Sequence, residues 1–107
     1  MNYHKNLAKG KWQEQSFLKQ MANIGSEVFR FLNWKEKNRK YSDLAFERAL
    51  ELIDFTISDL KNANRLKELC RMREMLVDYF FDNNYKSTKK SWENYFYAFT
   101  YAARVNA

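Results

Sequence analysis

The absence of proline limits the fold of this 107-residue chain more than any other feature. Proline and glycine most often interrupt regular backbone structure, and the chain has no proline and only two glycines, Gly10 and Gly25. A turn-rich β fold needs many such interruptions. The sequence therefore predicts an all-α protein of long helices, and the chain is long enough for one domain with its own core.

Apolar residues recur at steps of three and four in four segments, which is the period of an amphipathic helix. The predicted helices cover residues 16–37, 42–59, 63–81 and 89–104. Ser16 is the predicted N-cap of the first, and Ser42 or Asp43 that of the second. Short connections between such helices predict an up-down-up-down four-helix bundle, with a three-helix core and a docked terminal helix as the alternative. Helix–turn–helix DNA-binding domains use shorter helices and are disfavoured.

The first 15 residues are mostly polar and basic, so we expect a flexible basic arm (1–15) ahead of a bundle over 16–107. Gly25 lies beside the apolar stripe of the first helix. A glycine there costs about 1 kcal/mol relative to alanine, so we expect a neighbouring helix to approach closely at this point. Cys70, the only cysteine, falls on an apolar stripe and is predicted to be a small core residue.

Arg73 lies in the middle of the apolar stripe of the third predicted helix. Its guanidinium keeps its charge at any working pH, so a core position would require an acidic partner. The second predicted helix carries an acidic ridge with three candidate partners: Glu47, Glu51 and Asp54. The sequence therefore predicts a buried ion pair between Arg73 and one of these carboxylates.

The acidic ridge also raises the question of a metal enzyme, because carboxylates on adjacent helical turns can hold a hard cation. A carboxylate-bridged di-metal bundle needs Glu-x-x-His motifs, whereas the single histidine, His4, lies in the arm. The sequence contains no glycine-rich phosphate loop, and a Ser or Cys nucleophile would lack a nearby imidazole base. We therefore expect a non-enzymatic protein without a metal site or a cofactor.

The net charge of +6 and the isoelectric point near 9.5 allow an acidic partner such as RNA or DNA. Two basic clusters follow the first and third predicted helices, and in an up-down bundle these connections lie at the same end. Trp34 and Tyr85 lie beside the clusters and could stack on single-stranded bases. The predicted nucleic-acid-binding residues are Lys35, Lys37, Arg39, Lys40, Lys86, Lys89 and Lys90.

The second predicted helix has a second apolar stripe, and the last predicted helix has tyrosines on its outer side. Together they provide more apolar surface than four helices need to bury against one another. Tyrosine and arginine are also frequent at binding hot spots. The predicted interface residues are Leu44, Leu52, Phe55, Tyr97, Tyr101 and Arg104. We expect a homo-oligomer or a larger protein partner, the alternative being that the arm, anchored by Trp12, covers one of these faces.

The sequence has no run of about 18 apolar residues that could span a membrane, and its start lacks the apolar region of a secretory signal. We therefore expect no membrane contact and a cytoplasmic location.

Several short strings resemble a group of small, largely uncharacterised bacterial helical proteins of about this length. They are NIGSEV (23–28), NWKEK (33–37), AFERALELID (45–54), RLKELCR (65–71) and YFYAF (95–99). The resemblance spans roughly residues 18–104.

By its size, basic charge and inferred bundle, the chain also resembles the four-helix-bundle accessory proteins encoded beside diversity-generating reverse transcriptases. That resemblance concerns architecture and transfers no individual functional residue. It implies a protein that associates into ring-like oligomers, binds a reverse transcriptase and contacts nucleic acid. The alternative hypothesis is a protein-only adaptor or inhibitor whose charge serves solubility.

Overall fold

The computed structural model describes residues 10–105, which form four α-helices and short 3-10 turns. The helices are α1 (Phe17–Trp34), α2 (Arg39–Ile57), α3 (Leu66–Phe80) and α4 (Lys89–Val105), and the 3-10 turns are Trp12–Glu14 and Leu60–Arg65. The described residues contain no β-strand. The predicted all-α four-helix bundle is confirmed.

The four helices are not packed evenly around the bundle. α1 lies against both α2 and α4, and α2 also packs on α3, whereas α3 and α4 make few close backbone contacts. The bundle measures 34 × 28 × 24 Å along its principal axes. Its side between α3 and α4 is therefore looser than the sides that α1 shares with its neighbours.

α1 forms as the sequence predicts. The hydroxyl oxygen of Ser16 accepts a hydrogen bond from the backbone N–H of Lys19 at 3.2 Å, so the predicted N-cap is confirmed. The expected close approach at Gly25 is confirmed too, because a Cβ added there would lie 3.0 Å from the Cβ of Phe96 on α4. The buried face of α1 includes Met21, Ile24, Val28, Phe31 and Leu32.

α2 begins earlier than the sequence predicts, at Arg39. Its N-cap is Asn38, whose side-chain oxygen accepts a hydrogen bond from the backbone N–H of Tyr41 at 3.1 Å. Ser42, one of the predicted caps, is buried in the first turns and donates to the carbonyl of Phe31 at 3.2 Å. Asn38 and Ser42 are both good capping residues and lie four positions apart, so the sequence pattern alone predicts the wrong cap.

α3 buries only part of the predicted apolar stripe: Leu69 and Leu76 are in the core, but the helix is rotated so that Cys70 and Arg73 are not. The prediction placed Cys70 and Arg73 on the core stripe, but Cys70 is exposed and Arg73 lies at the surface. The prediction that Cys70 is a core residue is wrong. Large side chains on the neighbouring face bury more surface and decide the rotation of the helix. The buried residues of α3 are Leu69, Met72, Leu76 and Tyr79.

Aromatic rings fill much of the core, as the aromatic content of 18% suggests. Phe46 of α2 stacks on Phe80 of α3 with ring centroids 4.0 Å apart, and Phe31 of α1 meets Tyr79 edge-on at 6.0 Å. Such ring pairs add about 0.5–1.5 kcal/mol each beyond the area they bury. They hold α3 against α1 and α2.

The described part of the predicted arm, residues 10–15, packs on the bundle. Trp12 is buried, its indole N–H donates to Thr56 Oγ1 at 2.9 Å, and its carbonyl accepts from the Gln20 side chain at 3.0 Å. The folded part therefore includes residues ahead of position 16. Residues 1–9 of the predicted arm lie outside the described residues.

A buried polar network joins this segment to α1, α2 and the 3-10 turn after α2. Gln20 donates to Asp59 Oδ2 at 2.9 Å and accepts from Asn62 at 2.9 Å, and Asn62 also donates to the Thr56 carbonyl at 3.0 Å. Burial acts to raise the pKa of Asp59, but hydrogen bonds from Lys61 and Gln20 outweigh it and hold that pKa below its usual value. The amide groups of Gln20 and Asn62 thus find partners within the network, as buried polar groups require.

Candidate nucleic-acid interface

The seven predicted basic residues all lie exposed at one end of the bundle, which we call the basic end. The ammonium of Lys35, just after α1, lies 4.0 Å from the ring centroid of Tyr79 near the end of α3. Tyr79 in turn packs against Trp92 near the start of α4, with ring centroids 6.5 Å apart. The connections after α1 and after α3 are therefore neighbours. The basic end comprises Lys35, Lys37, Arg39, Lys40, Lys86, Lys89 and Lys90.

Two helices start at the basic end with basic first turns. Arg39 and Lys40 are the first two residues of α2, and Lys89 and Lys90 are the first two residues of α4. Neither first turn contains an acidic residue. The N-terminus of a helix already carries partial positive charge, so a basic residue there costs about 0.3–1 kcal/mol. Phosphate groups would relieve this repulsion and pair with both the side chains and the helix ends.

Exposed aromatic rings stand among these cations. Trp34 and Tyr41 pack edge to face with ring centroids 5.1 Å apart, and they remain 39% and 51% exposed. Tyr85 precedes Lys86 and is 55% exposed. The prediction from sequence included Trp34 and Tyr85. Tyr41 is absent from that prediction, because the predicted second helix begins only at Ser42 or Asp43, whereas residue 41 lies in the first turn of α2.

A small pocket of about 180 Å³ opens beside the Trp34–Tyr41 pair, between α1 and α2. Its wall contains two arginines, one of which, Arg30, also pairs with Glu27 at 2.7 Å. No pattern in the sequence indicates this pocket, because its lining residues come from two helices whose relative rotation is set by packing. The lining residues are Arg30, Trp34, Tyr41, Leu44, Ala45 and Arg48.

The loop between α3 and α4 has a defined shape. Both carboxylate oxygens of Asp78 accept backbone N–H groups, from Asn84 at 2.9 Å and Tyr85 at 3.0 Å. Tyr85 also donates its hydroxyl to Glu74 at 3.2 Å, and this hydrogen bond raises the pKa of Tyr85 above its usual value. Asp78, near the end of α3, thus holds the loop, and Lys86 is exposed at its surface.

Acidic side chains moderate the charge of the basic end. Glu36 lies within the first connection, and its charge, together with the larger effect of burial, raises the pKa of Tyr79. Asp82 is exposed in the second connection. The basic residues are nevertheless more numerous in both connections and the helix starts that follow them.

The predicted interface residues fall into two groups. Tyr97 and Tyr101, on the outer side of α4, are 63% and 59% exposed, and Arg104 is exposed beside them. Tyr97 also borders a shallow hollow of about 360 Å³ between α1 and α4, formed with Phe29, Asn33, Glu93 and Asn94.

The α2 part of the predicted interface needs a correction. Leu52 is only 3% exposed and belongs to the core, so it cannot contact a partner. Leu44 and Phe55 are half-buried, with Phe55 packed on the core. α2 has neighbours on two sides, which absorb most of the second apolar stripe.

Arg73 contacts Asp54, one of its three predicted partners, but the pair is not buried. Arg73 Nε lies 2.7 Å from Asp54 Oδ1, and the two side chains are 37% and 54% exposed. The prediction of a buried pair is therefore wrong. The rotation of α3 places the guanidinium at the outer edge of the α2–α3 contact.

The chain matches no known family model, no curated protein and no solved structure. Within the part of the chain that the structure describes, no group of three or more His, Cys, Asp or Glu side chains is arranged to hold a metal ion. None of the helices in that part has the apolar length that a membrane span requires.

Proposed function

We propose that this protein is a non-enzymatic accessory protein that contacts single-stranded RNA or DNA through the basic end of its bundle. The observation that carries the proposal is the joint exposure of seven basic residues and three aromatic rings at that end. Cations neutralise phosphates in a salt-dependent way, and exposed rings stack on unpaired bases with little regard for sequence.

The proposal includes a protein partner or a second copy of this chain on the outer face of α4. Tyr97, Tyr101 and Arg104 support it, since exposed tyrosine and arginine are enriched at interfaces. The architectural resemblance described above suggests a reverse transcriptase as the larger partner and the cytoplasm as the compartment.

Charge reversal tests the nucleic-acid contact. The test variant changes Lys37, Arg39 and Lys40 to Glu and leaves Lys35 unchanged, because Lys35 packs over the Tyr79 ring. The control changes Lys11, Lys19 and Lys67 to Glu, which alters the net charge equally with exposed residues at the opposite end. Binding of a fluorescent single-stranded oligonucleotide is measured at salt concentrations from about 50 to about 200 mM, a range that includes physiological ionic strength.

We expect the wild type to bind more weakly as salt rises, the test variant to lose most of its affinity, and the control to retain most of it. Equal losses in the two variants would mean that net charge alone attracts the nucleic acid. Absence of binding by the wild type at low salt would refute the nucleic-acid role.

A protein-only adaptor or inhibitor is the second candidate, favoured by the acidic Glu36 and Asp82 among the cations of the basic end. In that case the test variant would keep its partner, and the wild type would have no nucleic-acid affinity to lose.

A further inference from the structure

The pocket between α1 and α2 differs in charge from two other cavities of the described residues. The cleft at Trp92, of about 310 Å³ between α3 and α4, contains Glu68 as well as Arg71 in its lining, and the hollow beside Tyr97 contains Glu93. The lining of the α1–α2 pocket includes two arginines and no carboxylate. An anionic group is therefore attracted to this pocket more than to the other two.

Arg30 is an accessible cation of this pocket, and a neighbouring carboxylate holds it in place. Its side chain is 59% exposed, and its Nη1 lies 2.7 Å from Oε1 of the buried Glu27. Within residues 10–105 this bond uses one of the five N–H donors of the guanidinium, so donors remain for a phosphate group. Arg48, the second arginine, already interacts with a neighbour, so we assign no phosphate contact to it.

Trp34 and Tyr41 supply the aromatic surface of the pocket. Both line it, and both are partly exposed, so a ligand can reach their rings from solvent. The two rings are inclined at 78°, so a flat molecule that stacks on one of them meets the other edge-on. Leu44 and Ala45 add apolar surface to the lining. These contacts suit a nucleobase, because every base has a flat face that can stack on an aromatic ring.

The size and the position of the pocket limit its ligand to one unit of a strand. Its volume of about 180 Å³ corresponds to about six water molecules, which is room for one base but not for a base pair. Its two rings lie at the basic end, and Arg39 and Lys40 immediately precede Tyr41. Neighbouring phosphates of a bound strand would therefore lie near exposed cations.

We propose that this pocket binds one nucleotide unit, with its base on the Trp34–Tyr41 pair and its phosphate on Arg30. The inference rests on the proposed function, in which that unit belongs to a single strand of RNA or DNA. It goes further because it assigns one base and one phosphate to a defined site, whereas binding by the basic end as a whole requires only general attraction between cations and phosphates.

Adenosine 5′-monophosphate, adenosine and ribose 5-phosphate form a matched set of probes, because the second lacks the phosphate and the third lacks the base. Each is titrated into ¹⁵N-labelled protein, and the three indole N–H signals, assigned by Trp→Phe variants, are followed by NMR. We expect adenosine 5′-monophosphate to move the Trp34 signal in a saturable manner, while the signals of the buried Trp12 and Trp92 stay in place.

Adenosine should bind about three- to tenfold more weakly than its monophosphate, which is what one exposed hydrogen bond to a charged group contributes. Ribose 5-phosphate should leave the Trp34 signal in place, because it has no base to stack on the rings. Equal binding of adenosine and its monophosphate would overturn the phosphate contact. A Trp34 signal that fails to saturate, or that ribose 5-phosphate moves equally, would overturn the pocket itself.

Replacement of Arg30 by glutamine tests the phosphate contact directly. The control, Lys90→Gln, removes one positive charge from the basic end outside the pocket lining. We expect Arg30→Gln to bind adenosine and its monophosphate equally, and the control to keep the preference for the monophosphate. A dispersed NMR spectrum establishes that Arg30→Gln is folded without its ion pair to Glu27. A preference that persists in the folded variant would contradict the contact with Arg30.

Replacement of Tyr41 by leucine extends the test to a single strand and removes only a partly exposed ring. Its control is Tyr101→Leu, since Tyr101 is also exposed but lies on α4 away from the basic end. We expect Tyr41→Leu to bind a single-stranded oligonucleotide at least about fivefold more weakly, the effect of one lost stacking contact, and the control to retain its affinity.

The two kinds of probe separate failure of the pocket from failure of the proposed function. Equal oligonucleotide affinities of Tyr41→Leu and Tyr101→Leu would refute the pocket and leave the general contact of the basic end standing. Saturable binding of adenosine 5′-monophosphate by a wild type that binds no oligonucleotide would refute the proposed function and identify a free nucleotide as the ligand.

Discussion

Arg73 shows how exposure decides the energetic role of a charged side chain. Its two hydrogen bonds to Asp54, at 2.7 and 3.4 Å, have the geometry of a good ion pair. Water reaches both side chains, however, and screens their attraction. The same pair in the core would carry a large desolvation cost and would strand a charge if either partner were removed.

Replacement of Arg73 by alanine should therefore lower the free energy of unfolding by no more than about 1 kcal/mol. Urea denaturation of the wild type, Arg73→Ala, Asp54→Ala and the double variant gives the coupling energy between the two side chains. We expect that coupling to shrink in 1 M salt, where the Debye length is about 3 Å. A loss of several kcal/mol in Arg73→Ala would contradict the surface placement.

Asp59 represents the opposite case, a buried carboxylate whose charge is satisfied. Its folded-state pKa lies below the unfolded value of about 3.8, so the folded protein binds the proton less tightly than the unfolded chain does. This contribution to stability is present above the unfolded pKa and is lost as the pH falls through the folded pKa.

Replacement of Asp59 by asparagine should destabilise the protein by about 1–3 kcal/mol at pH 6, because charge-assisted hydrogen bonds within the network are lost. The difference from wild type should become smaller as the pH falls below about 3.8 and through the lower folded-state pKa, because the unfolded chain is protonated first and the folded carboxylate only at still lower pH. Urea denaturation at pH 6 and pH 3 measures both values. Asp82→Asn, at an exposed loop position, controls for the change in net charge, and a difference that grew towards low pH would contradict this assignment.

At the scale of elements, the contact between α1 and α4 depends on Gly25. Alanine there would gain about 1 kcal/mol in helix propensity, yet its Cβ would meet Phe96 Cβ at 3.0 Å. The obstructing atom is joined directly to the α4 backbone, so the helices themselves would have to move apart. Overpacking of this kind typically costs about 1–3 kcal/mol.

Gly25→Ala should consequently lower the free energy of unfolding, with a net loss of up to about 2 kcal/mol after the gain in propensity. Thermal or urea denaturation measures the change. Ser26→Ala, at the adjacent exposed position, reports the effect of alanine in this helix without the contact and should stay within about 0.5 kcal/mol of wild type. A stabilised Gly25→Ala protein would show that α4 can shift without cost.

The existence and order of the four helices follow from periodicity, but their rotation about their own axes does not. α1 has one strong apolar stripe and was predicted with its cap and its close contact at Gly25. α3 has two adjacent apolar stripes, and only packing against the other helices selects the one with Met72 and Tyr79. The errors at Cys70 and Arg73 follow from that ambiguity.

The candidate site, like the fold, could be predicted from the sequence only in part. Charge runs in sequence identify the basic end, because short connections keep clustered lysines together. The Trp34–Tyr41 pocket and the cleft at Trp92 each join residues from two helices, so they depend on rotations and separations that the sequence pattern leaves open. The burial of Trp12 depends on Thr56 and Gln20, which are distant in sequence and polar.

At the scale of the whole molecule, the two surfaces proposed for binding have separate positions. The basic end contains the connections after α1 and α3, whereas Tyr97 and Tyr101 lie on the outer side of α4. Nucleic acid and a protein partner could therefore be bound without competition for the same side chains. Variants of one surface should leave the other intact.

The exposed Tyr97 and Tyr101 on α4 lead to a prediction about the oligomeric state of the protein. If Tyr97 and Tyr101 mediate self-association, light scattering of the wild type should give a mass above that of one chain, and Tyr97→Ser/Tyr101→Ser should give that of one chain. A stable interface needs about 800 Å² from each partner, so two central tyrosines would be a substantial part of it.

The control variant, Leu60→Ser/Phe81→Ser, removes two other apolar side chains that are 90% and 69% exposed, and it should keep the wild-type mass. Dissociation by this control alone would assign self-association to a different surface. A wild-type protein that stays a single chain at high concentration would leave a different protein as the partner for the α4 face.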